Sequence, residues 1–226
     1  MIIEHLKKID STNEYIKKYL KKRQDALVRA DFQTAGKGTK GRSFISEKGG
    51  LYVSKLTFYN NLMVKDAWSI MVDNAMAVVK TLIAFGVQPK IKWPNDIIVN
   101  DKKICGILTQ NAFCQEFVDY SIVGIGININ NPIASEIKEI AISLKDAVGR
   151  EVNLESFFLS LVVNLSSGSN IQEYKSYSAV IGKKITVVRG EDSFEALCDD
   201  ILDDGALLLS NGEKLYAGEV GLKIKL

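Results

Sequence analysis

Between Gln33 and Phe44 the chain reads Thr34-Ala35-Gly36-Lys37-Gly38-Thr39-Lys40-Gly41-Arg42-Ser43. Within a helix or strand each of these glycines would cost about 1 kcal/mol relative to alanine. What they permit is a backbone that turns sharply and approaches a ligand closely. Lys37, Lys40 and Arg42 add positive charge, and the backbone N–H groups of such a loop add donors, so the segment suits a phosphate or another anion. An exposed basic loop with no ligand is the plainer alternative. Asp10-Ser11-Thr12-Asn13 offers short hydroxyls and an amide, and by itself reads as a helix start. Lys92-Trp93-Pro94-Asn95-Asp96 and Lys103 offer amines and a carboxylate, and by themselves read as solvated strand residues, with Trp93 in the core.

Several chemistries drop out early. His5 is the only histidine, which excludes mechanisms needing two and any histidine-rich metal site. Cys105, Cys114 and Cys198 stand far apart with no C-x-x-C pair, which argues for reduced thiols rather than a disulfide frame or zinc site. Lys+Arg 29 against Asp+Glu 27 leaves a net charge of +2, too small for a general attraction to nucleic acid. The N-terminus has no signal-peptide pattern, and the run from Phe157 to Leu165 is far short of the roughly 20 residues that span a bilayer. A soluble, cytoplasmic protein without a membrane role is expected.

Residues 2–9 suggest a strand. Ser11-x-x-Glu14 fits a capping box, followed by an apolar face of Tyr15, Ile16, Tyr19 and Leu20. The basic residues Lys17, Lys18, Lys21, Lys22 and Arg23 form the solvated face of that helix. Strands are expected at Ala26–Phe32 and Leu51–Phe58. The clearest helix runs from Asp66 to Phe85, stopped by Gly86. Strands at Lys90–Trp93, Ile97–Val99, Lys103–Gln110 and Phe117–Asn130 follow, the last with glycines at 124 and 126. Asn153 caps a helix over Leu154–Leu165, and a short helical piece covers Ile171–Tyr177. From Val180 onward, short β runs (Lys184–Arg189, Phe194–Ile201, Ala206–Leu209, Lys214–Tyr216, Glu219–Ile224) alternate with turn residues, the pattern of a small barrel.

Taken together, Asp10-Ser-Thr-Asn13, the basic loop after Gln33, Lys92-Trp-Pro-Asn-Asp96, Lys103-Ile-Cys-Gly-Ile-Leu108 and Gly124-Ile-Gly-Ile-Asn128-Ile-Asn130 occur in an order that resembles the biotin–protein ligases (biotin–[acetyl-CoA-carboxylase] ligases). The resemblance covers roughly residues 5–226. It implies an α+β fold: a mixed sheet backed by helices over residues 1–178, then an SH3-like barrel over 179–226. It implies joining biotin to ATP as biotinyl-5′-AMP, with Mg²⁺, and transfer to a lysine of a biotin carboxyl carrier protein. By the same resemblance Ser11, Thr12, Asn13, Gln33, Lys37, Gly38, Thr39 and Lys103 hold biotin. Lys40, Arg42, Phe44, Lys92, Asn95 and Asn128 meet the nucleotide. Lys103, Arg42 and Asp96 take part in the chemistry, Asp96 also as a magnesium ligand. A carboxylate attacking a polyphosphate needs its repulsion neutralised, which fits fixed cations at these positions.

The family loop commonly reads Gly-Arg-Gly-Arg-x-Gly-Arg. Thr39 and Lys37 depart from it, and lysine lacks the two-pronged contact of arginine, so a weaker hold on the adenylate is expected. Because Asp10-Ser-Thr-Asn13 begins so early, a single-function ligase without the DNA-binding domain of some members, and without specific DNA binding, is expected, as monomer or homodimer. Two rivals stay open: a lipoate–protein ligase of related fold, and a non-catalytic biotin or nucleotide sensor.

Overall fold

A computed structural model describes residues 1–217 and the backbone of 221–224; the Lys40 side chain and those of 221–224 lie outside the described residues, as do Glu219 and Val220 of the last expected strand. Seven strands form the main sheet: β1 (Ile2–Leu6), β2 (Ala26–Ala30), β3 (Leu51–Phe58), β4 (Lys90–Lys92), β5 (Asp96–Val99), β6 (Lys102–Cys114) and β7 (Phe117–Ile127). Their order is β1-β2-β3-β7-β6-β5-β4. Only β1 and β2 pair in parallel, because the chain between them crosses over through a helical segment; the remaining neighbours are antiparallel.

Strand alternation assigns the two faces of this sheet different work. Val53, Val123, Ile125, Ile127 and Ile107 join the large apolar cluster that includes helix α2 (Trp68–Ala84), the helix read from the sequence. Each such side chain contributes about 1.5–3 kcal/mol when fully buried. Gly86, at φ +92°, ends the run in a left-handed turn open to glycine. Val64–Ala84 is long and apolar enough to cross a membrane, but most of it is buried inside the protein, where it serves as the core helix.

The even-numbered residues of β3, β7 and β6 face the other way. Ser54 lies opposite Gly124, which lies opposite Leu108; Tyr52 lies opposite Gly126, which lies opposite Gly106. Three glycines in two adjoining rows leave a trough in the sheet. It is flanked by α1 (Thr12–Tyr15), which continues as a 3-10 turn over Ile16–Lys22 and packs on Val28, Leu56 and Ile122. The expected capping box does not form. Ser11 makes no side-chain cap, and Glu14 turns to Lys17 and Lys37 instead.

The sequence reading missed α3 (Leu144–Val148), capped by Ser143 and ended by Gly149. Helices α4 (Leu154–Asn164) and α5 (Ile171–Ser176) form as read, with Asn153 and Asn170 accepting from Ser156 N and Glu173 N, both at 2.9 Å. A second, antiparallel sheet follows, comprising β8 (Lys184–Arg189), β9 (Asp192–Ile201), β10 (Leu207–Leu209), β11 (Lys214–Leu215) and β12 (Gly221–Ile224), in the order β11-β10-β9-β8-β12. Two tryptophans, Trp68 at the start of α2 and Trp93 just after β4, meet it at Gly205. Trp93 Nε1 donates to Gly205 O at 3.0 Å, and the Trp68 ring lies so close to Gly205 that a Cβ there would sit 2.2 Å from it.

Candidate functional site

The floor of the trough is a chain of short polar side chains. Thr12 donates twice to Gln33 Oε1, from its backbone N at 2.8 Å and its hydroxyl at 3.0 Å. Gln33 Nε2 donates to Ser46 Oγ at 2.9 Å, and Ser46 Oγ donates to Phe44 O at 2.9 Å. Ser54, fully buried on β3, lies within donating distance of Thr12 Oγ1 at 2.8 Å and also of Asn13 Oδ1. One hydroxyl proton serves only one of them at a time, so this corner can rearrange to meet a polar ligand. Ser11, Thr12, Asn13 and Gln33 all line the cleft above, a small one of about 50 Å³.

The glycine trough admits two side chains. A Cβ at Gly124 would lie 2.4 Å from Asn13 Oδ1, and one at Gly126 would lie 2.7 Å from the Phe44 ring. Phe44 thus drops from the basic loop onto the sheet, its ring edge-on to Tyr52 at a centroid distance of 6.3 Å. Burial pushes the Tyr52 phenol well above its ordinary value, so it stays a neutral donor to Glu47 O.

The basic loop is itself a small closed turn. Gly38 N donates to Arg42 O at 2.7 Å and Phe44 N to Gly36 O at 2.9 Å, while Gly41 takes φ +72°. Lys37 reaches back to Glu14 at 2.6 Å. The ammonium groups of Lys17 and then Lys37 hold the Glu14 carboxyl below its ordinary range. Lys37 is thus paired with a carboxylate while it lines the trough with Gly38 and Thr39. Arg42 is exposed and points to a different cleft. The Lys40 side chain, assigned to the nucleotide, lies outside the described residues.

Lys103 on β6 stands where two clefts meet. Its Nζ lies 2.6 Å from Asp96 Oδ1 and 5.9 Å from the Phe44 ring centre. On one side is the polar trough; on the other is a recess walled by Phe44, Asn128, Asn131, Ile133 and Ile140. Asn128 is buried and accepts from Asn131 Nδ2 at 3.0 Å. A third, larger cleft is lined by Thr39, Arg42, Lys92, Asn95 and Asp96, among others. Asn95 is tied to β6, donating through Nδ2 to Ile107 O at 2.7 Å. The residues read from the sequence thus converge, but on three connected clefts rather than one. Ser54, Ser46, Tyr52, Glu14 and Asn131 went unread. The spacing of Gly106, Gly124 and Gly126 on adjacent strands is the signal that could have pointed to the trough.

A polar trough, a phenylalanine ring packed on its glycines and a lysine–aspartate pair between clefts make up the candidate site. The comparisons give it a family. Residues 6–128 match the Biotin/lipoate A/B protein ligase family. The chain is 31% identical over 218 residues to the bifunctional ligase/repressor BirA of Bacillus subtilis (strain 168), covering 88% of this chain and 66% of that protein. It is 27% identical over 233 residues to the biotin–[acetyl-CoA-carboxylase] ligase of Paracoccus denitrificans, covering 90% and 92% respectively. Among solved structures, the biotin protein ligase from Aquifex aeolicus in complex with biotin and ATP superposes with a TM-score of 0.78 at 26% identity, over 99% of both chains. The chain belongs to the biotin/lipoate A/B protein ligase family.

Proposed function

We propose that this protein condenses biotin with ATP to biotinyl-5′-AMP, releasing pyrophosphate, and transfers the biotinyl group to a lysine of a biotin carboxyl carrier protein. The observation that carries this reading is the position of Lys103, whose ammonium sits at the wall common to the polar trough and the recess beyond Phe44. A carboxylate in the trough and an α-phosphate in the recess would meet at that charge. Each charge-assisted hydrogen bond there contributes on the order of 1.5–3 kcal/mol. Asp96, at 2.6 Å, holds the lysine side chain in place.

The trough takes the vitamin head-first. Ser11, Thr12, Asn13 and Gln33 offer the donors and acceptors a ureido ring needs, and movement of Phe44 off the glycine rows would open space for the fused ring. A lipoyl dithiolane offers this polar floor no hydrogen bonds of its own, which weighs against the lipoate rival. Phe44 and Asn128 would flank the adenine, and Arg42 and Lys92 the outgoing pyrophosphate. Among the described residues no cluster of three acidic, histidine or cysteine side chains can hold a metal alone. Magnesium suits one carboxylate plus substrate phosphates, so Asp96 fits that group, which would neutralise phosphate charge. In the second step the carrier amine attacks the acyl carbon, AMP leaves and the amine gives up a proton, for which Asp96 is the nearest base.

We place the catalytic domain at 1–178 and the barrel domain at 179–226, and the protein in the cytoplasm, where its three free cysteines stay reduced. The test is incubation with biotin, Mg²⁺-ATP and a carrier domain, read by intact mass. A single biotinyl addition is expected. Addition of lipoate instead, or no pyrophosphate release with either acid, overturns the reading.

A further inference from the structure

Two buried asparagines in the recess beyond Phe44 are joined by hydrogen bonds whose direction the backbone dictates. Ile129 N donates to Asn131 Oδ1 at 3.0 Å, and Asn131 Nδ2 donates to Asn128 Oδ1 at 3.0 Å. A backbone N–H can only donate, so the Asn131 oxygen must face Ile129 and its amide nitrogen must face Asn128. The Asn128 oxygen must then face Asn131, which leaves Asn128 Nδ2 on the far side of its amide. The main chain of Asn128 is already engaged: its N–H donates to Ile104 O and its C=O accepts from Leu144 N, both at 2.9 Å. Asn128 Nδ2 has no acceptor among the described residues. Nor is it one of the sealed side-chain atoms left without a partner, which lie on Trp68, Asn74, Thr109 and Asn111. Its protons therefore open on the recess that Asn128 lines, a cavity of about 200 Å³. Pro132, Ile133, Ile137 and Ile140 make the rest of that wall largely apolar, with Lys103 the other donor in it.

We propose that Asn131 is a positioning residue for the nucleotide: it locks the Asn128 amide so that the recess presents N–H donors and takes up a ligand edge that carries acceptors, a ring nitrogen or a phosphoryl oxygen. The inference rests on the ligase reading, which puts the nucleotide in this recess. Turning the Asn128 amide over would set its Nδ2 against Asn131 Nδ2, two donors face to face, and would lose the bond between them. Stranding a buried donor in this way favours the observed orientation by on the order of tenfold to a hundredfold. Without that lock the amide would spend part of its time with its oxygen inward, where it repels the same acceptor edge.

Asn131→Asp keeps the size of the side chain and the bond from Ile129 N but has no proton for Asn128. The Asn128 amide then turns over to donate to the new carboxylate and faces the recess with its oxygen. Biotin-dependent ATP–pyrophosphate exchange is measured at about pH 8.5, well above the ordinary carboxyl range. Expected are a KM for ATP raised about tenfold and a KM for biotin unchanged. In an Asn128→Ala background the rise caused by Asn131→Asp should shrink at least about threefold, because the effect runs through the Asn128 amide. A smaller reduction means that the new charge acts directly on the nucleotide, and it overturns the inference. So does a KM for ATP unaltered in Asn131→Asp, with the ligase reading left standing. Asn128→Asp still accepts from Asn131 Nδ2 but offers the recess an oxygen, so it should raise the KM for ATP as well; should Asn131→Asp fail to fold, an unaltered KM in Asn128→Asp overturns the inference by itself. Absence of exchange in the unmodified protein removes the ligase reading and the inference with it.

Discussion

Gly124→Ala is the sharpest test of how the trough is made. Gly124 has ordinary strand geometry, so alanine meets no backbone penalty and the effect is one of space alone. The new methyl would lie 2.4 Å from Asn13 Oδ1 and 2.9 Å from both Asn13 Cγ and Nδ2. The Asn13 side chain must therefore move, and it is 4% exposed with fully buried Ser54 beside it. Moving it breaks the Ser54 contact and swings the amide into the cleft. Overpacking and the loss of one buried hydrogen bond each cost about 1–3 kcal/mol, and the methyl's own burial offsets part of this. A net loss of about 1–3 kcal/mol corresponds to a fall in Tm of roughly 3–10 °C for a chain of this size. Because the displaced amide occupies the trough, biotin affinity measured by titration calorimetry should fall by about tenfold or more. Gly168→Ala is the control, since a Cβ there meets nothing within 4 Å and φ is not positive. If Gly124→Ala melts within about 1 °C of the unmodified protein and binds biotin as well, the reasoning from close approach is refuted.

Lys103→Ala removes the charge shared by trough and recess and leaves Asp96 without its 2.6 Å partner, so biotin-dependent pyrophosphate release should slow by about 10²-fold or more, and Arg42→Ala should slow it less; equal rates in both variants and the parent would discard the electrostatic account. A second outcome concerns acid stability. Lys18, then Tyr19 and Tyr15, hydrogen-bond the Glu4 carboxylate and lower its pKa from 4.5 to about 2. A depressed pKa stabilises the fold above the unfolded value and loses that contribution as pH falls from about 4.5 toward about 2. Glu4→Gln should therefore flatten the decline of Tm with falling pH across that window, and an identical Tm–pH curve would show that the cluster does not act this way.

The motif residues and the helix of α2 were legible in the sequence because they depend on local chemistry. Glycine and lysine density, apolar spacing at three and four residues, and a stop at Gly86 are properties of neighbours along the chain. The identity of β6 and β7 as strands was legible too. What the sequence left open was how the strands register. Only pairing Ser54 with Gly124, and Gly126 with both Tyr52 and Gly106, turns three scattered glycines into one trough and makes a buried serine part of its floor. The charges show the same division. Lys103, Asp96, Lys37 and Glu14 are plain in the sequence, but which cation meets which carboxylate depends on distances of a few ångströms between segments far apart in the chain. Coulombic and hydrogen-bond energies fall off over just that scale, so the tertiary fold alone decided that Lys103 stands at the junction of the clefts and that Lys37 turns to Glu14.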